Sequence, residues 1–479
     1  MTEEVIAEAK IKSIPVRLSA FNIVSGVWPC PDDKLERWKE IENLSPVLLN
    51  AQAPLVFALD APWGGGKTTF IKLWQHYLAQ DSQKKVSIYL NAWESDFSHD
   101  PLIPLLSALD TWLSGIKGKD QAEAWNKAKK IAPKILKGIA IAGVKVGTMG
   151  ILDASDAVEG IAAEAAAGIT NDIVASFNSK LSALDEFKKL LKKAMDALPD
   201  NQPNLIIFID ELDRCRPTYA IEVLERIKHL FDIERIVFVL AVNRDQLSKS
   251  LKGVYGPEFD GLHYLKRFID LDYQLRVPDI KDYIKAKLSL PDIKENFSLR
   301  QSGNGQLSDI QELTIFLATR FRYQPRDIDQ FVQRLRLILR SIPSNHILDT
   351  SVLICMLFLR QHDEALYQKF KDDPISVNNV ILDLLGESFE KMTPGPSFKM
   401  IVLGLIRSCY DEHKNCISDE IMSYWTNLKD SLPASNEYKQ LISRIIVQLQ
   451  DLSEIWWLSE IRADTFERIE LVSKIDVSI

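Results

Sequence analysis

The run Leu59-Asp-Ala-Pro-Trp-Gly-Gly-Gly-Lys-Thr68 constrains this chain more than any other stretch, because it follows the apolar residues Leu55 to Ala58 and precedes Thr69-Phe-Ile-Lys-Leu-Trp74. Strand, glycine loop and helix succeed one another there. From Ala61 to Thr68 the spacing is that of a P-loop, with alanine at the usual first glycine. Gly64, Gly65 and Gly66 allow backbone conformations that a side chain would forbid, so successive N–H groups can close around phosphate oxygens at the start of a helix. Ala61, Pro62 and Trp63 complete the loop, Lys67 meets the outer phosphates, Thr68 offers its hydroxyl to Mg²⁺, and Thr69 is counted with the nucleotide contacts. The expected fold class is α/β.

A second apolar run, Leu205-Ile-Ile-Phe-Ile-Asp210-Glu211, ends in two carboxylates. Ligands of open α/β sheets bind at the C-terminal ends of strands, where those carboxylates fall. Asp210 reads as the Mg²⁺-orienting group and Glu211 as the base that polarises an attacking water. Asp213, Arg214 and Arg216 follow, and a helix opens at Pro217, a residue suited to a first helical turn. The buried run Ile236 to Val242 ends at Asn243, whose amide either senses the terminal phosphate or serves as an ordinary turn residue. Strands are also expected over Lys85 to Asn91 and Ile269 to Leu275.

At 479 residues the chain holds two or three domains. The expected divisions are an arm and helix over 1–54, a nucleotide-binding core over 55–280, a helical lid over 281–342 and a helical C-terminal domain over 343–479. The first helix is expected from Asp33 to Asn50, capped by Asp32 or Asp33. A helical insertion at about 116–200 separates the second strand from the carboxylate strand. Within it Lys127, Lys130, Lys134, Lys137 and Lys145 share one narrow face if the segment is helical, Lys129 lies outside it, and Ile135, Leu136, Ile139 and Val146 lie away from it. That face is either a solvated surface over a packed apolar one, as most charge runs are, or a contact for nucleic-acid phosphates or an anionic membrane surface, which are then candidate partners. A membrane span over Ile135 to Leu152 is not expected, because Lys137, Lys145 and four glycines interrupt it. The net charge of −8 gives no general attraction to polyanions. Five cysteines without metal spacing, and a start lacking a secretion signal, point to a cytoplasmic protein.

Four segments together, Ala61-Pro-Trp-Gly-Gly-Gly-Lys-Thr68, Asn91-Ala-Trp93, Ile209-Asp-Glu-Leu-Asp-Arg-Cys215 and Tyr264-Leu-Lys-Arg-Phe-Ile-Asp270, resemble the KAP group of P-loop NTPases over roughly 33–339. The resemblance implies a core of the AAA/ASCE type with a five-strand parallel sheet, a helical lid, and Mg-ATP hydrolysis coupled to assembly as a homo-oligomer. On the same analogy Lys266 or Arg267, with Arg267 preferred, would be a finger for the neighbouring subunit's phosphate. Arg326 would be the lid arginine that touches nucleotide. Such proteins are bacterial, are associated with mobile elements and with defence against phage, and would act through a protein effector. Two other functions stay open: a nucleotide-dependent switch or scaffold with little turnover, and a nucleic-acid-stimulated ATPase. Beyond Pro343 the pattern stays helical, with Leu353 to Leu359 and Ile455 to Leu458 as buried stripes and no recognisable chemistry.

Overall fold

The computed structural model describes residues 23, 27–80, 87–98, 100–115, 119–136, 140–141, 144–145, 170–197, 204–294, 307–341, 349–386, 396–411, 416–433, 435–450 and 458–473. Compact packing divides the chain between Val277 and Pro278 into two units.

The first unit is built on five parallel strands, β1 (Leu55–Asp60), β2 (Ser87–Asn91), β3 (Leu205–Asp210), β4 (Ile236–Val242) and β5 (Leu271–Gln274), in the spatial order β2-β3-β4-β1-β5. Their alternating side chains feed two separate cores. Phe57 and Leu59 of β1, Ile206 and Phe208 of β3, and Val237 and Val239 of β4 pack with Phe70, Ile71 and Trp74 of α2 (Lys67–Leu78) and Ile41 and Leu48 of α1 (Arg37–Leu49). Val56, Ile207, Ile209, Phe238 and Leu240 face the other way, onto α3 (Leu102–Ser114), α4 (Lys119–Leu136), α5 (Thr170–Asp196), α6 (Pro217–Leu230) and α7 (Arg244–Tyr255). Burial on both faces explains why β3 and β4 are unbroken apolar runs. The edge strand β5 is shorter than its sequence pattern, covering four residues that are mostly exposed. α1 starts at Arg37, later than expected, although the Asp33 carboxylate still accepts the Trp38 N–H at 2.9 Å.

The insertion departs from one lysine-faced helix. α4 ends at Leu136, and Lys145 lies in a two-residue antiparallel pair, 140–141 with 144–145, so the stripe from Lys127 to Lys145 does not exist as drawn. The sequence there carries Gly138 and Gly143, and each glycine costs a helix about 1 kcal/mol against alanine. The apolar face of α4 is already used: Ala124, Trp125, Ala128, Ile131 and Ile135 are buried in the core. Lys127 pairs with Glu123 at 2.7 Å and Lys129 with Asp110 at 2.7 Å. Lys137, Ile139 and Val146 lie outside the described residues. Among the described residues no helix is long and apolar enough to cross a membrane.

In the second unit α8 (Lys281–Leu288), α9 (Leu307–Arg320) and α10 (Pro325–Ser341) share one hydrophobic core with α11 (Thr350–His362) and the helices after it. Residues of the expected lid and of the region beyond it are therefore packed together. Val352 to Leu359 are buried on every side of α11, which makes it a central helix and not a one-sided stripe. Ile455, Trp456 and Trp457 lie outside the described residues. All five cysteines are free thiols.

Candidate functional site

The glycine loop leaves the end of β1 and turns into α2 at Lys67. Gly64 and Gly66 stand at φ +81° and +87°, in the left-handed region that glycine occupies without penalty. A Cβ on Gly65 would come within 3.1 Å of the Pro62 carbonyl oxygen, so the middle glycine is needed for close approach. Lys67 is only 8% exposed, with its Nζ donating to the Ala61 carbonyl at 2.9 Å. Burial pushes its pKa down, while the charges of Asp213, Glu211, Asp210 and Asp60 push back. Trp63 is half exposed, and its Nε1 donates to Asp213 Oδ2 at 2.6 Å.

Asp210 is fully buried at the end of β3, level with Asn91 of β2 and Ala241 of β4. Its Oδ1 accepts the Glu211 N–H at 2.9 Å and its Oδ2 the Tyr89 hydroxyl at 3.2 Å. Glu211 follows at φ +60°, an uncommon conformation for a side chain of this type. Its Oε1 lies 3.5 Å from the Thr68 hydroxyl, and its other oxygen pairs with Arg214, whose guanidinium lies over the Trp93 ring. Burial raises both acids above the ordinary carboxylate range, and for Glu211 the Asp210 charge adds to the effect.

These contacts bring Lys67, Thr68, Asp210 and Glu211 into one cluster. Asn243 caps α7, its Oδ1 accepting the Gln246 N–H at 3.1 Å, so it performs the turn role; that bond does not use its Nδ2. Arg267 is exposed and stacks on Tyr264, 5.6 Å from the ring centre. It precedes β5, so it stands at the sheet edge opposite the glycine loop. Neither Asp270 nor Asp272 pairs with it: Asp270 accepts the Val56 N–H and Asp272 pairs with Arg244 at 2.6 Å. Arg326 is the second residue of α10, in the other unit. Sequence reasoning gave no role to Tyr89, Arg37, Asp60 or Arg214.

The donor set fits a hard divalent cation, which takes oxygen ligands. Asp60, Asp210, Glu211 and Asp213 all act on Lys67, and a cation beside the Asp210 carboxylate and the Thr68 hydroxyl would offset that excess of negative charge. The burial of Asp210 has a measurable consequence. A raised pKa means that the folded state favours the proton; this stabilisation is complete below about pH 4 and is lost as pH climbs through the raised value. Metal-free Asp210→Asn is therefore expected to melt above the native protein at neutral pH, with the difference closing toward pH 4. A lower melting temperature for the variant at neutral pH would show that attraction to Lys67 outweighs the burial cost.

The KAP family P-loop domain matches residues 37–342. The phage T7 exclusion protein of Escherichia coli (strain K12) is 23% identical over 262 residues, 53% of this chain and 34% of that protein, so the chain spans about a third of this curated relative's length. Among solved structures, the Aeropyrum pernix ORC1 protein in complex with DNA aligns with a TM-score of 0.29 at 16% identity, covering 87% of this chain and 83% of that one. The Aeropyrum pernix ORC2 protein in its ADPNP-ADP complexes aligns at 0.30 with 13% identity, over 92% and 95%. At those scores neither adds to what the strand order already says.

Proposed function

Because this chain belongs to the KAP family of P-loop domain proteins, we propose that it is a Mg-dependent ATP hydrolase whose nucleotide state is passed to a protein effector. The observation that carries the reading is the cluster of Lys67 and Thr68 with the buried Asp210 and its neighbour Glu211. Backbone N–H groups of the loop and the Lys67 ammonium bind and orient the phosphates. Thr68 and Asp210 would hold Mg²⁺, which when bound neutralises charge on the phosphate oxygens. Glu211 takes a proton from the water that attacks the terminal phosphorus, and the P–O bond to ADP breaks. The KAP assignment and the relative named for phage exclusion support a role in bacterial antiviral defence, with the cytoplasm as the proposed setting.

Homo-oligomeric action is part of the same proposal. An arginine exposed at the sheet edge opposite its own loop stands away from the phosphates of that loop, which supports Arg267 as the finger for a neighbouring copy; Arg326 keeps the lid role only by family resemblance. Arg267→Ala is expected to bind ATP normally and to hydrolyse it at least about 10²-fold more slowly. Mixing it with Lys67→Ala subunits should restore part of the activity, since those still present an intact arginine. Mixed assemblies without rescue would make Arg267 structural.

One observation favours a second function, a nucleotide-dependent switch with little turnover: Arg214 engages the Glu211 carboxylate that hydrolysis needs. Phosphate release from saturating Mg-ATP, measured with and without added DNA, separates the readings. A nucleic-acid-stimulated ATPase has less support, because the net charge of −8 gives no general basic track and the end of α4 interrupts the lysine face.

A further inference from the structure

Arg37 lies outside every nucleotide-binding motif, at the first position of α1, and is only 3% exposed. Its Nη2 donates to the Gly65 carbonyl at 3.2 Å, and its Nη1 donates to the Arg276 carbonyl at 2.7 Å and to Glu40 Oε1 at 3.2 Å. A buried cation is costly unless it is paired and its N–H groups are used. Glu40 supplies the pairing, but two of the three acceptors are backbone carbonyls, one of them inside the glycine loop. Nor does Glu40 depend on Arg37, because Arg276 Nε lies 3.3 Å from it and the Tyr273 hydroxyl donates to it at 3.1 Å.

We propose that Arg37 is a positioning residue of the nucleotide site, setting the orientation of the peptide between Gly65 and Gly66. The inference rests on the reading of this loop as a nucleotide site. A trans peptide is planar, so its carbonyl and its N–H point in opposite directions. Holding the Gly65 carbonyl on a buried guanidinium turns the Gly66 N–H away from the protein body, to the side from which an anion arrives. Two peptides in the loop have glycine on both sides; the one between Gly64 and Gly65 is held by its own N–H, which donates to the Pro62 carbonyl at 3.1 Å, whereas Gly66 at φ +87° is in a region that glycine enters and leaves freely. A flipped peptide would aim a carbonyl oxygen at the phosphate. The restraint comes from outside the loop, from a residue anchored on a helix and on the chain leaving β5. Arginine suits the task because its fork serves several acceptors in fixed directions, which a lysine ammonium does not.

The test uses the full chain and measures ATP affinity by titration calorimetry beside thermal melting, for the native protein, Arg37→Met, Arg37→Lys and Glu40→Gln. Arg37→Met is expected to bind ATP about tenfold more weakly or worse, and Arg37→Lys to fall between it and the native protein. Glu40→Gln keeps both carbonyl contacts, so it should stay within about twofold of native affinity even though its melting temperature drops. Native affinity in folded Arg37→Met would overturn the assignment while leaving the nucleotide site in place. So would a loss in Glu40→Gln equal to that in Arg37→Met, because the charge cluster would then only hold the fold. If Arg37→Met does not fold, Arg37→Lys decides: a loss of about threefold or more supports the role, and unchanged affinity ends it. Failure of the folded native protein to bind ATP would remove the nucleotide reading itself, and this assignment with it.

Discussion

Titration of Mg-ATP into the Lys67→Ala variant is expected to show an affinity at least about 10²-fold below that of the native protein. Hydrogen bonds to charged groups contribute about 1.5–3 kcal/mol each, and two such bonds to phosphate oxygens convert to that factor or more. The surroundings enlarge the effect. Asp60, Asp210, Glu211 and Asp213 all act on the Lys67 ammonium, so its removal leaves carboxylates facing an incoming polyanion. Because Lys67 is buried, the variant should also melt lower, and circular dichroism must establish that it is folded. Unchanged affinity in folded protein would end the assignment of the loop to phosphate.

The second large effect is kinetic. Glu211→Gln should bind ATP within about twofold of the native protein and release phosphate roughly 10²–10⁴-fold more slowly, the usual contribution of a positioned base. The amide that this substitution introduces would keep a hydrogen-bond acceptor for Arg214 but could not take up a proton. Burial and the Asp210 charge raise the Glu211 pKa, which makes it a better base than an ordinary surface carboxylate. It also predicts that the native rate falls as pH drops through that raised value, while the residual rate of Glu211→Gln shows no such step. Hydrolysis by the variant at the native rate would move the base to Asp213. If the native protein itself turns over negligibly, the switch reading gains and the substitution has nothing to remove.

Sequence reasoning reached the residues that stand where a hydrophobic run stops. Asp210 was visible because β3 is buried along its whole length, so that a carboxylate ending it has no packing purpose. The glycine loop was visible because its conformational demands restrict the residue types allowed. Tyr89 and Arg37 left no comparable trace: the first meets Asp210 from 121 positions away, the second meets Gly65 from 28, and neither spacing repeats along the chain. Arg214 was noticed without a role, although it stands only three positions from Glu211, with which it pairs. The insertion misled because helical periodicity was extended through glycines where the backbone forms a short antiparallel pair. Likewise β5 was drawn too long, because the alternation Ile269-Asp-Leu-Asp-Tyr-Gln-Leu275 runs past both ends of the paired segment, which covers only Leu271–Gln274.

The left-handed backbone at Glu211 carries an evolutionary cost. A residue with a Cβ held there gives up of order 1 kcal/mol that glycine would keep, and the penalty falls on the side chain that the proposed chemistry cannot spare. Thermal resistance and turnover therefore pull this position in different directions. A lineage selected only to survive heat would drift toward glycine at 211 and lose its base, whereas a lineage that must respond to nucleotide keeps the glutamate and recovers the lost stability elsewhere in the sheet and its two cores.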